Sequence, residues 1–312
     1  MARWTTISAL GPAAIQGDPK RPHKQAVEDM KAHWKAQCNL VLPDQPDLIV
    51  VPEACDRYPN YPLEKRLEYY RTRGNQMRDF FADIAKNNHC YVAYSAAREL
   101  SDGTWRNSTQ IIDRQGNVAG IYNKNHVVVE ETTKAGILCG KDAPIISCDF
   151  GTVGCAICFD LNFTPIRNKY IEQKPDLIVF CSMYHGGLMQ HVWAYSCRAH
   201  FVGAICGNQC TIINPLGECV AASTNYYRTV TETVNLDCTL AHIDYNNAKF
   251  RALKTKYGRG VTIAEPGNLG CVLITCNRDD MTVDDMIREF EIELLDDYWE
   301  RALKHRDENT EP

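Results

Sequence analysis

The sequence lacks any apolar run that could cross a membrane, because none of its segments approaches about 20 consecutive apolar residues. It also lacks an apolar targeting segment near residue 1, a low-complexity tract, an internal repeat and a linker rich in proline or glycine. A chain of 312 residues without a linker favours one large domain. We expect that domain at residues 1–277, followed by a C-terminal helix and a charged tail at 278–312.

Charge of one sign is not concentrated anywhere in the chain. The 34 basic and 39 acidic residues are intermixed and give a net charge of -5. Proteins that bind nucleic acid usually gather their basic residues on one surface. The short cluster of Lys20, Arg21, His23 and Lys24 is typical of a solvated loop that enters a helix. We therefore expect neither nucleic acid nor a membrane as a partner.

Cysteine is abundant, but its distribution does not indicate a disulfide scaffold. The 15 cysteines are diluted in a long chain, their number is odd, and many lie in apolar segments that read as strands. This usage is typical of a reducing compartment. We expect a cytoplasmic protein.

Strand-like and helix-like patterns alternate along the first third of the chain. Helical spacing of apolar residues occurs at 23–39 and 64–88, and a stripe at 282–304 predicts a long C-terminal helix with Thr282 as its N-cap. The mixture predicts sheet layers covered by helices. Strand-like runs occur at 5–10, 47–51, 91–95, 108–113, 153–157, 176–181, 203–206 and 211–214.

The stretch from Gly154 to Asp160 places Cys158 where a buried strand ends. Such a junction can expose a nucleophile beside free backbone N–H groups. Cys155 and Cys158 also form a Cys-x-x-Cys pattern, but side chains three apart on a strand point to opposite faces, which disfavours a shared metal or a disulfide. Cys206 and Cys210 do not supply the second ligand pair that structural zinc needs. We expect no metal, although Cys158 could also be an ordinary buried cysteine.

A cysteine nucleophile needs a base and a group that stabilises a developing oxyanion. Glu53 follows an apolar strand that Pro52 terminates, and Lys124 follows another strand-like segment. Each residue by itself is typical of an exposed loop or surface position. Their order along the chain is more informative. It reads Pro52-Glu53, then Tyr122-x-Lys124-x-His126, then Gly154-x-x-x-Cys158-x-Asp160.

Over residues 4–275 this combination closely resembles the nitrilase superfamily of carbon-nitrogen hydrolases. The resemblance implies a four-layer αββα sandwich. It also implies Glu53 as general base, Cys158 as nucleophile and Lys124 as cationic stabiliser, with the backbone N–H of Phe159 as a second oxyanion donor. It implies a thioester intermediate, release of ammonia or an amine, no cofactor, and a homo-oligomer, either a dimer or a tetramer.

The resemblance also implies further site residues. A second glutamate often follows the lysine in relatives, and of Glu130 and Glu131 we favour Glu131. Residues that line the substrate pocket in relatives correspond here to Tyr58, Phe159, Met183, Tyr184 and His185.

Two departures from the family pattern bear on the substrate. Relatives often carry arginine where this chain has Asn162, so the chain lacks that arginine as a carboxylate partner. Phe159-Asp160 resembles the amidase and carbamoylase branches rather than the Cys-Trp-Glu of nitrilases. The resemblance thus implies hydrolysis of a small amide or N-carbamoyl (ureido) compound. A nitrile-hydrolysing enzyme and a non-catalytic small-molecule-binding protein are the alternatives.

Overall fold

A computed structural model describes residues 1–264 and 268–311. The chain forms two compact units. The larger unit is Thr5–Val234, and the smaller combines Met1–Trp4 with the chain from Asn235 onward.

The larger unit contains strands at each of the predicted runs, with bounds that differ by a few residues at most. In chain order its elements are β1 (Trp4–Leu10), α1 (His23–Cys38), β2 (Leu48–Val50), α2 (Leu63–Arg73), α3 (Gln76–Asn88), β3 (Tyr91–Glu99), β4 (Trp105–Ile112), β5 (Val118–Asn123), α4 (Val129–Thr133), β6 (Ile146–Cys148), β7 (Gly151–Ile157), α5 (Thr164–Gln173), β8 (Leu177–Ser182), α6 (Leu188–Cys197), β9 (His200–Ile205), β10 (Thr211–Ile213), β11 (Cys219–Ala222) and β12 (Thr229–Asn235). Short 3-10 helices lie at Leu42–Asp44 and Cys158–Asn162.

These strands form two six-stranded sheets. The first has the order β12-β1-β2-β3-β4-β5, and the second has the order β11-β10-β9-β8-β7-β6. Strands β1, β2 and β3 are parallel, as are β7, β8 and β9, whereas β4, β5, β6 and β10 pair antiparallel with their neighbours. The central strands β2 and β8 are buried throughout, as expected for parallel strands covered on both faces.

The two sheets pack against each other and carry helices on their outer faces. Strands β2 and β9 are in contact, as are β4 and β7, while α1 and α3 lie on the first sheet's side and α6 packs on β9 and against α5. The aromatic rings of Trp34 and Tyr94 both pack on Phe81 under the first sheet. This arrangement confirms the predicted αββα four-layer sandwich.

The helical pattern at 64–88 forms two helices rather than one. Helix α2 ends at Arg73, and Gly74 follows with φ of +49°. Glycine reaches this left-handed region without the steric penalty that a Cβ would bring, so the chain can turn there and restart as α3.

The smaller unit contains a three-stranded antiparallel sheet and three helices among its described residues. Its elements are β13 (Cys238–His242), α7 (Asn247–Tyr257), β14 (Val261–Ala264), β15 (Cys271–Cys276), α8 (Val283–Glu289) and α9 (Leu295–Glu308), with a 3-10 turn at Gly258–Gly260. The strand order is β13-β15-β14. The boundary predicted at residue 277 falls inside this unit.

The single long helix predicted at 282–304 is wrong, although its start is right. Thr282 caps α8, since its hydroxyl accepts from the Asp285 N–H and the Asp285 carboxylate accepts from the Thr282 N–H. The helix stops at Glu289 because Glu291 takes a left-handed φ of +49°, which allows Ile292 to be buried. Helix α9 then reaches Glu308, into the predicted tail, whose last residue, 312, lies outside the described residues.

Among the described residues, no helix combines the length and the apolar character that a membrane span requires.

Candidate active site

The two cysteines of the Cys-x-x-Cys pattern lie in different environments. Cys155 is fully buried within β7, and its backbone N–H donates to the Tyr170 hydroxyl at 2.9 Å. Cys158 is the first residue past that strand, is partly exposed, and has a left-handed φ of +50°. A non-glycine residue in this region indicates backbone strain held by the surrounding structure, as is common at functional turns.

Asp160 holds the turn that carries Cys158. Its carboxylate is fully buried and accepts hydrogen bonds from the Ile157 N–H at 3.1 Å and the Tyr122 hydroxyl at 2.7 Å. The other oxygen accepts from the His126 N–H at 2.7 Å. One carboxylate thus joins the turn after β7 to the segment after β5, which carries Lys124.

Lys124 follows β5 directly and is only 1% exposed. Its Nζ donates to Glu53 Oε1 and to Glu131 Oε2, both at 2.8 Å. Burial alone would lower the pKa of Lys124, but the negative charges of Glu53 and Glu131 raise it above its ordinary value. Lys124 therefore stays protonated, with a hydrogen bond to each carboxylate.

Glu53 lies just beyond the end of β2 and is 4% exposed. Besides Lys124, its carboxylate accepts from Asn107 Nδ2 at 2.8 Å and from the Met183 N–H at 3.2 Å. Asn107 also donates to Glu131 Oε1 at 3.1 Å, so one amide group holds both carboxylates. The sequence reasoning missed Asn107, because a single asparagine inside β4 gives no local signal of what it faces.

The Cys158 thiol is held in its protonated form. Burial, together with the charge of Glu53 and a hydrogen bond to it, raises the pKa of Cys158 to about 12, against the opposing effects of Lys124 and the Met183 N–H. The thiol proton is thus close to the carboxylate of Glu53. This pairing is the geometry required for transfer of the proton to a base during nucleophilic attack.

Of the two neighbouring glutamates, the structure brings Glu131 to Lys124 and leaves Glu130 exposed. Glu131 Oε2 also accepts from the Val128 N–H at 2.9 Å. Both glutamates lie in the short helix α4. The helical turn directs Glu131 inward as the third residue of the helix.

Three of the residues predicted to bind substrate follow β8. Met183 contacts Glu53 through its backbone N–H. The Tyr184 hydroxyl accepts from Asn162 Nδ2 at 3.1 Å. Burial, and to a lesser extent the nearby Cys158, raises the pKa of Tyr184 to about 12. His185 Nδ1 accepts from the Gly187 N–H at 3.1 Å, a contact local to its own loop.

The other two predicted substrate residues differ from each other. Phe159 is 37% exposed next to Cys158 and packs edge-on against Phe163. Tyr58 is 1% exposed, and its hydroxyl donates to the Ala26 carbonyl at 2.7 Å within an aromatic cluster with Tyr61 and Tyr69. The side chain of Tyr58 thus packs in the core.

A cavity of about 330 Å³ borders the Glu53 carboxylate, a volume typical of small-molecule sites. Its wall combines apolar and charged side chains from α2, β4 and α4. The lining residues include Leu63, Leu67, Tyr70, Trp105, Val128 and Ile137, with Arg57, Arg66, Glu130, Glu131 and Lys134. In the part of the chain that the structure describes, no group of three or more His, Cys, Asp or Glu side chains is placed to hold a metal ion.

Comparison with known proteins gives matches in sequence and in structure. A protein of Schizosaccharomyces pombe named "Probable nitrilase C965.09" is 28% identical over 100 residues, which are 31% of this chain and 36% of that protein. The chain thus spans about a third of the length of the curated relatives it matches.

Solved structures share the fold at low sequence identity. A carbon-nitrogen hydrolase from Helicobacter pylori G27 superposes with a TM-score of 0.63 at 14% identity, over 75% of this chain and 90% of that one. An amidase from Nesterenkonia sp. superposes with a TM-score of 0.60 at 14% identity, over 80% of this chain and 95% of that one.

The family comparison covers the larger unit almost completely. The family described as carbon-nitrogen hydrolase matches residues 13–239, which include Glu53, Lys124 and Cys158. With the αββα sandwich, this match shows that the chain belongs to the carbon-nitrogen hydrolase family of the nitrilase superfamily.

Proposed function

We propose that this protein hydrolyses the carbon-nitrogen bond of a small amide or N-carbamoyl compound. The observation that carries the proposal is the convergence of Glu53, Lys124 and Cys158 from the ends of three strands. Glu53 accepts from Lys124 at 2.8 Å and is hydrogen-bonded to the thiol. The similarity to an amidase fold is consistent with this activity.

In the proposed reaction the Cys158 sulfur attacks the carbonyl carbon as the thiol proton passes to Glu53. Lys124 Nζ and the Phe159 N–H stabilise the negative charge that develops on the substrate oxygen. The tetrahedral intermediate collapses as Glu53 returns the proton to the leaving nitrogen, and ammonia or an amine departs.

A water molecule then attacks the resulting thioester, again with Glu53 as base. The second tetrahedral intermediate expels the Cys158 sulfur, which regains its proton. The products are a carboxylic acid and the free thiol, so the enzyme returns to its starting state. Glu131 and Asn107 act through Lys124 and Glu53, which they hold in position.

Release of ammonia from a panel of amides, ureido acids and nitriles tests the proposal. Cys158→Ala should abolish release, whereas Cys155→Ala, the matched control three residues earlier in β7, should retain it. The proposal is wrong if Cys155→Ala abolishes release and Cys158→Ala does not. Release from nitriles alone would identify the nitrile-hydrolysing alternative.

The non-catalytic alternative is a protein that binds a small molecule without turnover. Covalent labelling of Cys158 by iodoacetamide separates the two, since an enzyme needs a thiol that reagents can reach. A thiol that stays unlabelled, together with no turnover of any amide, would favour the binding protein.

We also propose a cytoplasmic, homo-oligomeric protein. All 15 cysteines are free in the structure, as is usual in a reducing compartment. Light scattering during size-exclusion chromatography would give the number of subunits, and a monomer would contradict the proposed homo-oligomer.

A further inference from the structure

The cavity beside Glu53 contains two arginines that are not paired with a carboxylate. The side chain of Arg57 makes no ion pair or hydrogen bond with the residues that the structure describes, and its Nε is buried without a partner. Arg66 has a buried Nε without a partner as well, and its Nη2 donates only to the Tyr61 carbonyl. Neither guanidinium thus donates to a carboxylate of the described residues.

A neighbouring arginine shows what a structural role looks like in this fold. Arg73 is 4% exposed, and its guanidinium donates to Asp56 at 2.7 Å and to the Ala97 carbonyl at 2.6 Å. Arg57 and Arg66 lie in the same region without such partners. Their charges are therefore available on the cavity wall.

The other charges at the cavity sum to one negative charge, because Glu53, Glu130 and Glu131 are opposed by Lys124 and Lys134. Glu53 and Glu131 both accept from Lys124, as described above. The remaining acid, Glu130, lies one helical turn before the basic Lys134. Arg57 and Arg66 add two positive charges, so the site as a whole carries one net positive charge.

The position of Arg57 relates it to the reaction. Arg57 lines the cavity together with Glu53. It also lines a second, narrow cleft together with Glu53 and Met183. Asn162, where relatives often have an arginine, uses its amide to donate to the Tyr184 hydroxyl and the Phe159 carbonyl. Asn162 thus offers no cation to an anionic substrate, whereas Arg57 and Arg66 place two on the wall of the cavity beside Glu53.

We infer that Arg57 and Arg66 form a subsite for a carboxylate, so that the preferred substrates are small amides carrying a carboxylate at their far end. The inference rests on the proposed function and specifies its substrate class. A planar guanidinium matches a carboxylate in a bidentate geometry. The apolar side chains of the cavity contact the carbon chain that separates the carboxylate from the amide.

Pairs of compounds that differ only in this charge test the inference. Succinamate is compared with methyl succinamate, glutaramate with methyl glutaramate, and 4-aminobutanamide serves as the cationic member. We expect the carboxylates to have at least about 10-fold higher kcat/KM than the esters, since a charge-assisted hydrogen bond contributes on this scale. Equal values for acid and ester, or a preference for the cation, would overturn the inference while the proposed function stands.

Variants assign the preference to its residues. Arg57→Met and Arg66→Met should each lower kcat/KM for the carboxylates by roughly 10- to 100-fold, mainly through KM. Arg57→Lys should be intermediate, because it retains the charge without the planar fork. Arg78→Met is the matched control, since Arg78 lies on α3, pairs with Asp79 and does not line the cavity.

Two further readouts keep the test decisive. Circular dichroism shows whether each variant is folded, and an unchanged acid-to-ester ratio in both folded Met variants refutes the subsite. If the wild-type protein hydrolyses no amide, the proposed function fails, and calorimetry with succinamate still tests the subsite. Binding that Arg57→Met abolishes supports it, and the absence of binding to wild type overturns it.

Discussion

The proton on the Cys158 thiol offers a direct test of the roles proposed for Glu53 and Lys124. Burial and Glu53 raise the pKa of Cys158 to about 12 from an ordinary value of 9.0, while Lys124 lowers it. At pH 8.5 a thiol of pKa 12 is ionised to only about 3 parts in 10,000, roughly 10³-fold less than a thiol of pKa 9. The two neighbours act in opposite directions, so their removal should have opposite effects.

Glu53→Gln removes the negative charge beside the thiol, so the pKa of Cys158 should fall and the thiolate should become more abundant. Lys124→Met removes the stabilising cation, so the thiolate should become rarer. Each change removes a charge-assisted interaction, which corresponds to roughly 10- to 100-fold in thiolate population. Amide hydrolysis should nevertheless be lost in both variants, because Glu53→Gln has no base and Lys124→Met has no cation for the oxyanion.

The assay is alkylation by iodoacetamide at pH 8.5, resolved by peptide mass spectrometry because the chain has 15 cysteines. The rate of alkylation at Cys158 should be highest in Glu53→Gln, intermediate in the wild type and lowest in Lys124→Met. Exposed Cys139 serves as the internal reference for reagent, and buried Cys155 should stay unlabelled. Slower alkylation in Glu53→Gln than in wild type, or faster alkylation in Lys124→Met, would refute the reasoning.

Three predictions concern stability, each measured by urea unfolding. Asp160→Asn should lower the free energy of unfolding by roughly 2–4 kcal/mol, because the buried carboxylate accepts from Tyr122 and two backbone N–H groups; a loss below about 0.5 kcal/mol would contradict this role. Arg73→Met should cost about 3–5 kcal/mol, since it leaves Asp56 buried without its cation, and Asp56→Leu in the same chain should recover part of the loss. Thr282→Ala should cost about 1 kcal/mol through the lost helix cap, and an unchanged midpoint would show that the cap is dispensable.

The sequence was informative where a local pattern determines the local structure. The apolar run before Pro52 and the run before Cys158 predicted strands that end just before reactive side chains, and β2 and β7 end there. Strands β2 and β7 belong to different sheets, so Glu53 and Cys158 meet because the two sheets pack against each other, which no local pattern encodes.

The predictions failed where backbone conformation or distant packing decides. The apolar stripe that predicted one C-terminal helix continues past Glu289, but a left-handed residue at 291 interrupts the helix without a glycine to signal it. Tyr58 was expected at the pocket from the family resemblance, and in the structure its hydroxyl donates to the Ala26 carbonyl in the core. Asn107 and Arg57 could not be singled out, because their importance arises from neighbours on other strands and helices.

The left-handed conformations at Ala54 and Cys158 have a consequence for how this protein can change. Ala54 directly follows Glu53, the proposed base, and Cys158 carries the proposed nucleophile. Glycine would occupy either φ with less strain. Glycine at position 158 should therefore make the folded state more stable by about 1 kcal/mol while it removes the nucleophile. The thiol at position 158 thus occupies a backbone conformation that glycine would adopt at lower cost, which is the trade between stability and chemistry expected of the proposed nucleophile.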